Sequence, residues 1–208
     1  MTSVSTRGLT FASGELTLEG VLHVPATAPA PGVVVCHPHP LYGGSMDNNV
    51  VAAACEAMVQ RGYAALRFNF RGVHGSEGEH AEGRGEADDA RAALAYLRGL
   101  PEVDEGRTGL IGYSFGAMVG AEAASGAIRA LAMISPPLAY ADLRVGWGCP
   151  VLIMGSEADP VAPAARLRLV AEQPGVELVL VDGADHSWWG YEADLAEGLG
   201  SFFERHFQ

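Results

Sequence analysis

The chain has 208 residues, of which 49% are hydrophobic and 18% are charged, a balance typical of a folded globular protein. Its formal net charge of −12 at pH 7 argues against nucleic acid or an anionic membrane surface as a partner. The chain contains no lysine, which excludes a phosphate-loop lysine and any chemistry that needs a Schiff base.

Short apolar runs alternate along the chain with longer segments of helical periodicity. About eight segments are predicted as strands: 9–12, 16–25, 32–36, 63–70, 107–111, 130–135, 150–154 and 176–181. The predicted helices are 47–61, 86–100, 115–124, 162–172 and 191–207. This alternation predicts a single α/β domain over residues 1–208, with a mostly parallel sheet and helices on both faces.

Neither the cysteines nor the termini indicate a secreted, metal-binding or membrane protein. Cys36, Cys55 and Cys149 are widely spaced beside apolar residues, which is typical of buried reduced thiols. The N-terminus lacks an apolar signal core, and no apolar run is long enough to cross a bilayer. We therefore expect a soluble cytoplasmic protein without a metal or another cofactor.

The sequence Gly112-Tyr113-Ser114-Phe115-Gly116 lies between a predicted strand and a predicted helix. A Gly-x-Ser-x-Gly pattern in this context is typical of a nucleophile elbow, in which a sharp turn exposes the serine hydroxyl at the carboxyl edge of a sheet. The flanking glycines leave room for that turn. Ser114 is therefore the candidate nucleophile, although a plain glycine-rich turn has the same pattern.

Two later loops supply the other groups that a serine nucleophile needs. Asp159 follows the strand at 150–154, and His186 follows the last strand, so that the chain order is Ser, Asp, His. An imidazole can act as the base, and a carboxylate can orient it. Glu157 and Asp185 are alternatives for the acid; Asp159 is preferred because its loop directly follows a strand end and leads into a helix, whereas Asp185 is adjacent to His186 in the chain.

These motifs resemble those of serine α/β-hydrolases over almost the whole chain. Residues 112–116 resemble the nucleophile elbow, residues 159–163 the acid loop and residues 183–186 the histidine loop. Residues 36–49 and 68–72 are similar to those of small bacterial hydrolases related to dienelactone hydrolases. The resemblance implies an α/β-hydrolase fold and a Ser114-His186-Asp159 triad.

The resemblance also implies an oxyanion hole made of two backbone N–H groups. The residue after the nucleophile, Phe115, is expected to donate one of them. Pro38 stands where the family usually has glycine, and neither Pro38 nor Pro40 has an N–H group. His39 is the preferred second donor, with Leu41 or Tyr42 as alternatives. The side chains of His37 and His39 make a poor metal pair because no carboxylate is near them in sequence.

The resemblance implies that a cap domain would follow the strand at 130–135, and residues 136–148 are too few to form one. The cleft is therefore expected to be open. The residues predicted to form its wall are Leu41, Tyr42, Pro137, Leu138, Trp188 and Trp189. Core packing is an equal alternative for the two tryptophans. Arg71, in the glycine-rich segment 71–85, is expected to form an internal salt bridge more readily than to bind a substrate carboxylate.

The leading functional hypothesis is a carboxylesterase that acts on a small-molecule ester or acyl substrate. A thioesterase, peptidase or acyltransferase with the same triad is an alternative, because these activities differ only in pocket shape. A scaffold protein that retains the fold is the non-enzyme alternative. The oligomeric state is not readable from the sequence.

Overall fold

Eight strands form one twisted sheet in the computed structural model, which describes residues 4–124, 128–143 and 146–208. The strands are β1 (Val4–Ser13), β2 (Leu16–Pro25), β3 (Ala30–Cys36), β4 (Ala64–Phe68), β5 (Val103–Tyr113), β6 (Ala130–Ile134), β7 (Val151–Gly155) and β8 (Val176–Leu180). Their order is β1-β2-β4-β3-β5-β6-β7-β8. β2 pairs antiparallel with both neighbours, and all later pairs are parallel.

Five helices cover the two faces of the sheet. They are α1 (Asn49–Gln60), α2 (Arg84–Arg98), α3 (Phe115–Ala123), α4 (Ala164–Ala171) and α5 (Glu192–His206). Apolar side chains of α1 and α5 pack in one core, and those of α2, α3 and α4 pack in the other. The central strands are buried on both faces, which explains why β3, β6 and β7 are continuous apolar runs.

Each predicted strand and helix overlaps an observed one, which confirms the mostly parallel α/β sheet with helices on both faces. The differences lie at the ends of elements. α2 begins at Arg84 rather than at residue 86, because the Glu86 carboxylate accepts the N–H of Gly83 and closes the first turn. α4 begins at Ala164 rather than at residue 162, because Pro163 takes an extended conformation before it.

The connection from β6 to β7 is short. Within residues 136–148, which were predicted to be too few for a cap, the described residues form neither helix nor strand. Residues 144–145 of this stretch lie outside the described part. Among the described residues, no helix has both the length and the apolar character needed to cross a bilayer.

Candidate active site

Ser114 lies in a strained turn between β5 and α3. Its backbone has φ 54° and ψ −117°, a conformation that L-residues rarely adopt. A Cβ on Gly112 would overlap the carbonyl of Gly116, and a Cβ on Gly116 would overlap the carbonyls of Cys36 and His37. The two glycines are therefore required by the close approach of three backbone segments, and the turn has the geometry expected of a nucleophile elbow.

The structure brings Ser114, His186 and Asp159 together in one hydrogen-bonded array. His186 Nε2 lies 3.0 Å from Ser114 Oγ, and His186 Nδ1 lies 2.8 Å from Asp159 Oδ2. The carboxylate can only accept, so Nδ1 carries the proton and Nε2 is free to accept the hydroxyl proton of Ser114. This is the tautomer that a general base requires.

The carboxylate of Asp159 is buried and surrounded by donors. Its Oδ1 accepts from the N–H groups of Val161 at 2.9 Å and Ala162 at 3.1 Å, and the hydroxyl of Ser135 also donates to the carboxylate. Burial disfavours the charged form, but these hydrogen bonds and the charge of His186 outweigh it and hold the pKa of Asp159 below its ordinary value. Asp159 is therefore ionised at neutral pH and able to stabilise an imidazolium.

The two alternative acids lie in other environments. Glu157 is exposed and forms an ion pair with Arg168. Asp185 is also exposed, and its carboxylate accepts from the backbone N–H of Ser187 at 2.8 Å and from the hydroxyl of the same residue. Neither carboxylate contacts His186, whose Nδ1 is bonded to Asp159, so the preference for Asp159 as the orienting acid agrees with the geometry.

Residues 181–190, here called the histidine loop, are tied to four separate parts of the chain. The hydroxyl of Tyr113 donates to the carbonyl of His186 at 2.6 Å, and the Asn49 amide donates to the carbonyl of Ser187 at 2.9 Å. The anchors on the other side are the Ser156 hydroxyl, which donates to Ala184, and Ser135, which accepts from the Trp188 indole at 3.0 Å. Together these bonds restrict where the imidazole can lie.

Residues 37–46, here called the oxyanion loop, lie opposite the histidine loop. His37 is fully buried: its Nδ1–H donates to the carbonyl of Pro38 at 2.6 Å, and its Nε2 accepts the N–H of Phe70 at 3.1 Å. Both ring nitrogens are thus occupied, and burial lowers the pKa of His37 to about 4. A neutral imidazole with no free nitrogen is not available as a metal ligand.

The two predicted oxyanion donors, Phe115 and His39, both line the same cleft as Ser114. Phe115 is the first residue of α3, so its N–H has no partner within the helix. The His39 ring lies 4.7 Å from the Phe115 ring, measured between centroids, and its Nδ1 accepts the N–H of Leu41. Burial lowers the pKa of His39, so its ring is neutral near pH 7.

The structure places the residues of the predicted cleft wall in different surroundings. Tyr42 and Pro137 line the cleft, whereas Leu41 is 70% exposed and lines a smaller neighbouring cavity. The prediction is wrong for Trp188, which is fully buried because its indole must donate to Ser135 inside the core. It is also wrong for two more residues. Leu138 is buried in the core, and Trp189, which is 70% exposed, is not among the described residues that line the cleft.

Arg71 forms the internal salt bridge that was expected. Its Nε and Nη2 donate to the two oxygens of Asp89 at 3.0 and 2.7 Å, and its backbone N–H donates to the same carboxylate. Asp89 is fully buried and also accepts from Ser13 at 2.7 Å. Through these bonds Arg71 holds the 71–85 segment against α2.

Sequence reasoning did not identify the residues that act on the triad from outside it. Ser135 follows β6 at the same sheet edge as Ser114, and a hydroxyl at a strand end was a signal that could have identified it. Tyr113 occupies a variable position of the elbow pattern, which carries no such signal. The faces of α2 and α3 that line the cleft were also missed, because their helical spacing looks the same as core packing.

Comparison with known proteins shows to which family this chain belongs. Residues 16–151 match the family model described as X-Pro dipeptidyl-peptidase (S15 family). An uncharacterised protein of Rickettsia prowazekii is 35% identical over 192 residues, which cover 85% of this chain and 79% of that protein.

Two solved structures are similar along nearly their whole length. An α/β serine hydrolase homologue from Coxiella burnetii is 31% identical with a TM-score of 0.86, and the match covers 97% of this chain and 98% of that one. An α/β serine hydrolase without a lid from Xanthomonas campestris is 30% identical with a TM-score of 0.87, and the match covers 97% and 94%. The uncapped architecture of this chain is thus shared with a solved structure.

Proposed function

This chain belongs to the S15 family and is similar to α/β serine hydrolases, one of them without a lid, and from that premise we propose that it cleaves carboxylic esters through an acyl-enzyme on Ser114. The observation that carries the proposal is the continuous array from Asp159 through His186 to Ser114, with bonds of 2.8 and 3.0 Å. The array opens into a cleft of about 1450 Å³, so that a substrate can reach the hydroxyl.

The proposed reaction follows from where the protons can go. Ser114 Oγ attacks the ester carbonyl while His186 Nε2 takes the hydroxyl proton, and Asp159 stabilises the imidazolium that forms. The N–H groups of Phe115 and His39 are the proposed donors to the oxyanion. The imidazolium then gives its proton to the leaving alkoxide, and a water molecule activated by His186 hydrolyses the acyl-enzyme.

A peptidase is the second candidate, because the matching family model is that of a dipeptidyl-peptidase. An enzyme that removes dipeptides holds the substrate's terminal ammonium at a fixed distance from the nucleophile, and an exposed carboxylate binds an ammonium only weakly because solvent and salt screen the pair. Apart from the triad, the described carboxylates that line this cleft are Glu82, Asp88 and Glu122, and all three are exposed. Because none of these three carboxylates is buried, the cleft supports an ester substrate in preference to a peptide.

The test is labelling and turnover by the wild type and by Ser114→Ala. We expect the wild type to hydrolyse p-nitrophenyl butyrate and to gain one fluorophosphonate adduct by intact mass. Ser114→Ala should lose both, with turnover reduced by about 10³-fold or more. Efficient cleavage of an X-Pro p-nitroanilide without ester cleavage would favour the peptidase, and retained turnover in Ser114→Ala would contradict both candidates.

A further inference from the structure

The cleft continues beyond the triad into a groove between α2 and α3. One side is formed by residues of α3 at helical spacing, Phe115, Met118, Val119 and Glu122. The other side is formed by residues of α2 at the same spacing, Arg84, Ala87, Asp88 and Arg91. Both helix faces line one cavity with Ser114.

The inner part of the groove is apolar. Phe115 and Met118 are half-buried, Val119 and Ala87 are almost fully buried, and Ala87 has the smallest side chain of the four. Ala87 and Val119 thus form the buried floor of the groove, and Phe115 and Met118 present the apolar surface that a hydrocarbon chain can contact.

Arg91 lies at the end of the lining residues of α2 that is farthest along the helix from Arg84. Its Nη1 donates to Asp88 on α2 at 2.7 Å, and its Nη2 donates to the carbonyl of Glu122 on α3 at 2.8 Å. The guanidinium therefore bridges the two helices and is engaged with protein acceptors on both sides. It is therefore not a free cation awaiting a substrate anion.

The length of the groove follows from the helix that forms it. From Ser114 to Glu122 the chain advances eight residues, or about 12 Å at 1.5 Å per residue. An extended chain advances about 1.2 Å per bond, since a residue with three backbone bonds spans about 3.3–3.6 Å. The groove therefore has room for a chain of about eight to ten carbon atoms.

We infer that the α2–α3 groove binds an unbranched hydrocarbon chain of the substrate, up to about eight to ten carbon atoms long. The inference rests on the proposed ester hydrolysis. The chain belongs either to the acyl group or to the alcohol, because both flank the carbonyl that Ser114 attacks. The enzyme is thus a medium-chain esterase with a length limit, in contrast to the relaxed specificity that an open cleft alone suggests.

Two ester series test the inference and separate the acyl group from the alcohol. In p-nitrophenyl esters the acyl chain is lengthened from two to twelve carbons, and in n-alkyl acetates the alcohol is lengthened over the same range. Each methylene buried in an apolar groove increases kcat/KM by up to about fourfold. We expect one series to rise to eight or ten carbons and then to level off or fall.

The variant Ala87→Leu adds bulk at the buried floor of the groove, and its control is Ala95→Leu, the same change at an exposed position of α2. We expect Ala87→Leu to lower the ratio of kcat/KM for octanoate to that for acetate by about tenfold or more, or the matching ratio in the alcohol series. Ala95→Leu should leave the ratio unchanged. Met118→Ala, which removes wall contacts without adding bulk, should also lower the ratio and serves if Ala87→Leu does not fold.

The outcomes separate this inference from the proposed function. Hydrolysis of the acetate ester without dependence on chain length in either series would overturn the groove and leave the esterase standing. An equal ratio in the wild type, Ala87→Leu and Met118→Ala would do the same. No hydrolysis of any ester by the wild type would overturn the proposed function, and the inference with it.

Discussion

The histidine loop and the oxyanion loop face each other across Ser114, and they are held in different ways. The histidine loop is bonded by side chains from β5, α1, the β6–β7 connection and the β7–α4 connection. The oxyanion loop is held by its own backbone and by the buried ring of His37, and at Met46 by Asn69, which accepts from its N–H at 2.8 Å, and by Arg67, which donates to its carbonyl at 2.9 Å. Its tip carries two exposed apolar side chains, Leu41 and Tyr42.

The difference shows that a histidine acquires its role from its partners. His186 has an ionised carboxylate on one nitrogen and a hydroxyl on the other, and its side chain is 25% exposed to the cleft. His37 has only neutral backbone partners and no exposure, so it stays uncharged and supports the loop. The histidine loop thus positions the proposed base, His186, and the oxyanion loop, which carries the proposed donor His39, is supported by the neutral ring of His37.

The strongest test of the comparison removes the charge that distinguishes His186 from His37. Asp159→Asn should lower kcat by about 10⁴-fold, because the amide favours the wrong imidazole tautomer and cannot stabilise the imidazolium. Turnover of p-nitrophenyl butyrate measures the loss. Glu157→Gln is the matched control in the same loop and should change kcat by less than about twofold. An equal loss in both variants would contradict the assignment of Asp159.

A second test concerns the buried ring of His37 and the pH dependence of stability. The pKa of His37 is about 4 in the folded protein and 6.5 without burial. The unfolded chain therefore binds a proton at a higher pH, and the free energy of unfolding falls as the pH drops from about 6.5 to about 4. The total decrease in the free energy of unfolding from this group is about 3 kcal/mol, since each unit of pKa difference corresponds to about 1.36 kcal/mol.

Urea unfolding of the wild type and His37→Gln from pH 7.5 to pH 4.5 measures this contribution. We expect the slope of unfolding free energy against pH to be smaller in the variant. The slope should not vanish, because burial also lowers the pKa of His23 and His39. Above about pH 7, where both states hold the ring neutral, the two slopes should coincide. Identical slopes below pH 6.5 would show that His37 is not the buried neutral group described here.

The smallest expected effect tests the anchoring of the histidine loop through Ser135. The Trp188 indole can only donate, so it occupies a lone pair of the Ser135 oxygen and leaves the hydroxyl proton for Asp159. When Ser135 no longer donates to it, the Asp159 carboxylate stabilises the imidazolium of His186 more strongly. Ser135→Ala should therefore move the acid limb of kcat/KM to higher pH, by about half a pH unit or roughly 0.7 kcal/mol.

The matched control for Ser135→Ala is Ser187→Ala, which removes a hydroxyl that donates to the exposed Asp185. The acid limb of this control should stay at the wild-type pH. A general decrease in rate without movement of the acid limb in Ser135→Ala would indicate a structural role for Ser135 alone.

The two adjacent tryptophans show what could and could not be predicted from the sequence. Both were placed in the cleft wall, with core packing as the alternative, because a large aromatic residue near a catalytic loop suits either place. The chain turns at Trp188, where φ is 60°, and the two side chains diverge. One is fully buried and hydrogen-bonded to Ser135, and the other is 70% exposed. A local pattern contains no information on which of two neighbours faces inward at such a turn.

By itself the sequence determined the alternation of strands and helices, the elbow around Ser114 and the chain order of the candidate triad, because periodicity, glycine spacing and turn chemistry are local properties. Only the tertiary structure decided which carboxylate meets His186, that Arg71 binds Asp89, and that α2 and α3 form a groove beside Ser114. Those outcomes depend on contacts between segments far apart in the chain, and such contacts are specified by the packing of the whole sheet and its helices.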